Sequence, residues 1–273
     1  MKLISRTALA GLTLSVVLPA LAFAQQEDIG FAPSADRRIE TPAFTDDAVS
    51  GLLATLDRLL ARQPDAAKWA KDASIHFWRL MNRLQAGVMS PTQEAMVLAK
   101  FDEYGKAHPT DKAFLDVQRR MVSGLMIGKV APEITGKDYD GVGFKLSDYR
   151  GKVTVLYFTG QWCGPCRGEY PYERLMLEIH KNDPFAIVSV NSDDTLDVAK
   201  KAKVDERLDF RSWWDGYVEK KNTSGPIATA WNVTGWPAIY VLDSKGVIRF
   251  AQLRQEDVLK AVKQLIAEER ARK

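Results

Sequence analysis

From residue 45 onward the apolar positions Val49, Leu52, Leu53, Leu56, Leu59 and Leu60 recur at i, i+3, i+4 and i+7. That spacing lines one face of an α-helix, which Thr45 or Asp46 would start and Pro64 would stop. A second stripe of this kind, Trp69, Ala73, Phe77, Leu80 and Leu84, ends at Gly87. The third opens Ser90-Pro91-Thr92-Gln93, which combines an N-cap serine, a proline in the first turn and a glutamine placed for a capping box. The fourth starts at Thr110 after Pro109 and carries Phe114, Val117, Met121, Val122 and Leu125. Together these predict an all-α helical domain over residues 44–126.

Beyond Lys129 the period changes. The turn-rich stretch GKDYDGVGFKL, with Gly141 and Gly143, reads as a hairpin. Continuous apolar runs at 153–158 and 185–190 predict buried strands, and helical patterns at 167–180 and 195–207 alternate with them. A short strand at 210–213, strands at 238–242 and 247–252 and a closing helix at 256–270 complete the order. Strands and helices arranged this way predict an α/β unit over residues 127–273, a central mixed sheet flanked by helices.

The first 24 residues differ again. Lys2 and Arg6 precede an apolar run from about Ala8 to Leu21, and Ala22-Phe23-Ala24 follows. A basic start, a short apolar centre and small residues before a cut predict a secretory signal peptide cleaved after Ala24. The run is shorter than a membrane span needs, and a retained anchor is the alternative. Residues 25–43 are polar and irregular and read as a linker. Cleavage lowers the formal charge of +3 by two, because Lys2 and Arg6 are the only charges lost. A chain so near neutral offers no electrostatic case for binding nucleic acid. Export is expected, to the periplasm if the source is a Gram-negative bacterium.

Oxidising compartments preserve disulfides, and small exported folds use many of them for stability. This chain of 273 residues holds 2 cysteines, Cys163 and Cys166. A bridge closing so short a loop contributes little through chain entropy, so its value is expected to lie in chemistry. The pair falls between a predicted strand and a predicted helix, where free backbone amides and the helix dipole favour a thiolate. Such a thiolate at Cys163 is a nucleophile near neutral pH, and Cys166 is near enough to attack the mixed disulfide that follows. Pro165 suits the first turn because its missing N–H would have no helical partner. A structural bridge and half of a zinc site are the plainer readings of the pair. His76, His108 and His180 show no ligand spacing, and neither metal nor organic cofactor is implied. Trp213, Trp214 and Trp231 read as packing aromatics.

Trp162-Cys163-Gly164-Pro165-Cys166 resembles the active site of the thioredoxin superfamily, and the wider context resembles the exported TlpA/ResA-like members. The resemblance rests further on the opening segment 127–132, on Pro171 as the proline that kinks the active-site helix, and on Glu169 three residues after the second cysteine. It covers about residues 125–273. The resemblance implies a thioredoxin-like fold, thiol:disulfide oxidoreductase activity, a cis-proline at Pro237 and a substrate groove shaped by Trp162, Pro165, Trp236 and Pro237. Two positions depart from the pattern. Tyr157 stands where many thioredoxins bury an aspartate, six residues before the first cysteine, which leaves Glu169 as the nearest proton acceptor. Trp236 is bulkier than the small or aliphatic residue expected before the proline.

The function expected is therefore dithiol exchange with the thiols and disulfides of other proteins, in the reducing direction. It requires an electron donor outside the cytoplasm. Two other readings stay open: a binding module that docks a dedicated partner on its helical domain, and a thiol peroxidase. Against the latter, Gly160 stands three residues before Cys163 in place of the threonine such enzymes use.

Overall fold

The computed structural model describes residues 40–61, 74–85, 87–218 and 223–272. The signal peptide expected at 1–24, the linker up to residue 39, and Pro64, Trp69 and Ala73 lie outside the described residues. Helix α1 (Asp46–Ala61) starts where Thr45 Oγ1 accepts the Ala48 N–H at 3.2 Å. Helix α2 is Ser74–Gln85 and α3 is Pro91–Ala107. The capping box at α3 forms in both directions: Ser90 Oγ accepts the Gln93 N–H at 3.2 Å, and Gln93 Oε1 accepts the Ser90 N–H at 3.0 Å. The helix expected from Thr110 is preceded by a 3-10 turn over Pro109–Asp111, so α4 is Lys112–Gly124. The cause is local, because the Asp111 N–H bonds back only three residues, to His108 O at 3.1 Å.

The hairpin pairs β1 (Thr135–Lys137) antiparallel with β2 (Gly143–Lys145). Five strands then form the central sheet: β3 (Val153–Thr159), β4 (Phe185–Asn191), β5 (Arg211–Trp214), β8 (Ala238–Leu242) and β9 (Ile248–Ala251). Their order is β5-β4-β3-β8-β9. Strand β3 runs parallel to β4 and antiparallel to β8, so the sheet is mixed. A short ribbon of β6 (Tyr217–Val218) and β7 (Thr223–Ser224) and helix α8 (Pro226–Ala230) lie between β5 and β8. Helix α7 (Leu196–Asp205), capped by Thr195, connects β4 to β5, and α9 (Gln255–Ala271) follows β9.

The active-site helix is not the continuous element expected over 167–180. It starts earlier, as α5 (Gly164–Arg167), breaks at Gly168 and Glu169, and resumes as α6 (Tyr170–Ile179). Pro171 has no N–H to return to Arg167 O, so the hydrogen-bond ladder is interrupted there.

Alternation along β3 divides the core in two. Val153, Val155 and Tyr157 join Tyr170 and Met176 of α6 and Val258, Val262 and Ile266 of α9. Leu156 and Phe158 join the other cluster, which contains Val49, Leu80, Leu84, Val97, Phe101, Met121 and Val122 from helices α1 to α4. The N-terminal helices and one face of the sheet thus share a core, and Leu125, Met126 and Ile127 are buried within it. Trp231 fills its centre, 5.5 Å from Phe158 and 5.1 Å from Tyr240 between ring centroids. Polar ties cross the same contact, with Gln85 Nε2 3.5 Å from Tyr240 OH and Gln252 Nε2 donating to Gln85 Oε1 at 3.1 Å. Among the described residues no helix is long and apolar enough to cross a membrane.

Candidate active site

Strand β3 ends at Thr159 in the middle of the sheet, and the chain turns through Gly160 and Gln161 to present Trp162 and Cys163. Cys163 and Cys166 form a disulfide with a Cα–Cα separation of 5.2 Å. Cys163 is the N-cap of α5, and its Sγ accepts the Cys166 N–H at 3.2 Å. A donor aimed at this sulfur stabilises charge on it when the bridge opens. Cys163 retains 4% of its surface and Cys166 retains 0%, so the first sulfur is the one a reactant can reach.

The turn is fixed from below by Asp193, just after β4. Its Oδ1 accepts the Gln161 N–H at 2.6 Å and its Oδ2 accepts from Asn191 Nδ2 at 2.8 Å. Trp162 folds back so that its Nε1 donates to Ser192 O at 3.0 Å, yet its ring remains 48% exposed. Gly160 makes that placement possible, because a Cβ there would sit 2.5 Å from Trp162 Nε1. Trp214, also exposed, donates its Nε1 to Asp193 O at 2.8 Å.

The second wall comes from the loop before β8. The Trp236–Pro237 peptide is cis. The Trp236 ring meets Trp162 edge-on, with centroids 5.5 Å apart, and also packs against the core shared with the N-terminal helices. Trp162 and Pro165, both exposed, flank Cys163 along the chain, Trp236 packs on Trp162, and Pro237 is buried. Arg254 Nη2 donates to Pro237 O at 2.7 Å.

Glu169 is a buried carboxylate, 2% exposed, and not a solvated helix residue. Its Oε2 accepts the Gln255 N–H at 2.8 Å. Burial pushes its proton affinity above the ordinary glutamate value, opposed by that N–H and by the Arg254 guanidinium. Arg254 and Gln255 thus link Glu169 to the cis-proline wall, which the sequence did not reveal because 86 residues separate Glu169 from Gln255. Arg167 turns outward, its Nη1 donating to Gln161 O at 2.7 Å.

A further carboxylic acid went unnoticed in the sequence. Glu173, in the first turn of α6, is 1% exposed, and its Oε2 has no hydrogen-bond partner. Burial, and then the charge of Glu169, raise its pKa to about 8, opposed by Arg174. Tyr157, in the place of the expected aspartate, is fully buried with an unpartnered hydroxyl, and burial holds its pKa well above the usual value. The available signal was the i, i+4 spacing of Glu169 and Glu173, which places both on one helical face. Among the described residues no group of three or more His, Cys, Asp or Glu is placed to hold a metal ion.

A model of the AhpC/TSA family matches residues 127–251. The chain is similar to the thiol-disulfide oxidoreductase ResA of Geobacillus kaustophilus, with 31% identity over 128 residues, covering 46% of this chain and 69% of that protein. It is 34% identical over 134 residues to the thioredoxin-like protein YneN of Bacillus subtilis, covering 46% of this chain and 71% of the relative. The solved thioredoxin domain of a thiol-disulfide oxidoreductase from Bacteroides vulgatus is 27% identical, covers 52% of this chain and 99% of its own, and superposes with a TM-score of 0.46.

Proposed function

Because the chain belongs to the AhpC/TSA family of thioredoxin-like proteins and is a thiol-disulfide oxidoreductase, we propose that its dithiol reduces disulfides of other proteins outside the cytoplasm. The observation that carries this reading is the asymmetry of the bridge. Cys163, next to exposed Trp162, keeps 4% of its surface whereas Cys166 keeps none, and the buried carboxylate Glu169 follows three residues after Cys166.

In the reduced protein the Cys163 thiolate attacks a substrate disulfide, forms a mixed disulfide and releases the substrate's second sulfur as a thiolate, which takes a proton from water. Cys166 then gives its proton to Glu169. Its thiolate attacks Cys163 Sγ, re-forms the bridge and expels the remaining substrate sulfur. Two electrons have passed to the substrate, and an electron donor outside the cytoplasm must return them. Trp162, Pro165, Trp236 and Pro237 form the groove for an extended segment of the substrate. Residues 127–273 carry the chemistry. The helices of 44–126 close the second face of the sheet and offer surface to a partner protein. Export follows cleavage after Ala24, and amino-terminal sequencing of the mature protein should begin at Gln25; a retained residue 1 would mean an anchored protein instead.

A disulfide reductase assay on a small bridged protein, with peroxide consumption measured beside it, tests the chemistry. The wild-type protein should turn over, Cys163→Ser should be inactive, and Cys166→Ser should accumulate a mixed disulfide. Peroxide consumption without reductase activity would mean a thiol peroxidase, and loss of both would leave a binding module.

A further inference from the structure

Glu173 has a cost that the fold does not explain. It is buried in the first turn of α6, a helix whose Tyr170 and Met176 pack into the apolar cluster that holds Tyr157, and its Oε2 is unpartnered. A methionine or leucine would fill that space without desolvating a polar group. What distinguishes the position is its neighbours, for Glu169, also buried, lies one helical turn before it, and the buried Tyr157 hydroxyl, without a partner of its own, feels the charge of both carboxyls.

We propose that Glu173 is a positioning residue for dithiol exchange, the second member of a buried two-carboxyl site whose resting proton it holds, so that Glu169 is the ionised member that receives the proton of Cys166. This rests on the oxidoreductase reading above and deepens it. Two carboxyls one helical turn apart and this deeply buried do not both ionise near neutral pH. The fixed donors decide which one does. Glu169 receives the Gln255 N–H and is lowered by the charge of Arg254, whereas the cation that acts on Glu173 is Arg174, whose Nη1 is turned to Glu206 O at 2.8 Å. The other titratable groups around Glu173 are Tyr157 from β3 and Tyr170 from α6, both held neutral by burial. The charge therefore settles on Glu169, three residues after Cys166.

When Cys166 delivers its proton to Glu169, the negative charge that kept Glu173 protonated disappears, and Glu173 becomes able to release its own. The proton count balances: one leaves Cys166, one arrives at Glu169, and one is free to depart from Glu173. In alkaline solution the relation reverses. Ionised Glu173 then places a second negative charge under the dithiol and opposes formation of the thiolate.

The test is the thiolate titration of the reduced, full-length protein, followed by absorbance at 240 nm and by alkylation rate, in wild type, Glu173→Gln and Glu173→Met. The wild-type curve should be broader than a single-proton step, since thiol and carboxyl titrate against each other. Both variants should give a sharper curve with a lower midpoint and alkylate at least about two-fold faster at pH 8.5. The two replacements differ in polarity and shape, so a change shared by both reports the lost titration and not a packing defect. Curves that superimpose on wild type, or variants that alkylate more slowly, would overturn the inference while leaving the reductase reading intact. Wild-type protein that exchanges no disulfide at any pH would overturn that reading and this one with it.

Discussion

At Gly160 one hydrogen atom decides where an aromatic ring can lie. A methyl group there would collide with Trp162 Nε1, so Gly160→Ala should push the ring off Ser192 O and away from Trp236. We expect a shift in tryptophan emission, a stability loss of about 1–3 kcal/mol, and slower disulfide exchange in stopped-flow measurements. The cysteines make the opposite case. They close a four-residue loop beside a large core, so Cys163→Ser combined with Cys166→Ser should unfold in urea within about 3 kcal/mol of wild type; a larger loss would make the bridge structural. Both sulfurs were legible in the sequence because their chemistry depends on local spacing. Glu173 was not, since an acidic residue in the first turn of a helix ordinarily faces water, and only the fold shows that this one is buried.

At the scale of the element, α6 carries two carboxyls into the core, and stability should register them. Glu173 titrates at about 8 in the folded protein, against 4.5 for a glutamate in an open chain. The folded state therefore keeps a proton that the unfolded state releases between those values. The contribution is fully present below about pH 4.5 and is lost as pH rises to about 8, on the order of 5 kcal/mol in all. Glu169 is shifted in the same direction and adds to the slope. Urea midpoints of wild type should fall from pH 5 to pH 8.5, and Glu173→Met should flatten most of that fall; parallel curves would contradict it. Strands and helices were readable from periodicity, yet the break at Gly168 and Glu169 was not. It depends on the hydrogen bond that Pro171 cannot make, which Pro171 alone announces only as a kink.

Across the whole molecule, the apolar stripes of the N-terminal helices predicted that each buries a face but not what it buries it against. The answer is the second face of the sheet, where Leu84, Met121 and Val122 share a cluster with Phe158, Trp231 and Tyr240. Leu84→Ala should cost about 3 kcal/mol and lower the unfolding midpoint of helix and sheet probes together. A truncated chain starting at residue 127 should expose that aromatic face and aggregate. Trp236 packs against the same cluster and meets Trp162 edge-on, so the helices also support one side of the candidate active site. We propose that this molecule is a reductant, because Gly164 and Pro165 between the sulfurs offer no side-chain charge to stabilise the reduced form strongly. Equilibration against glutathione, read by trapping free thiols, measures it most directly. A reversible two-electron couple below about −200 mV is the predicted result, and a value near about −120 mV, or a bridge that never exchanges, would contradict it.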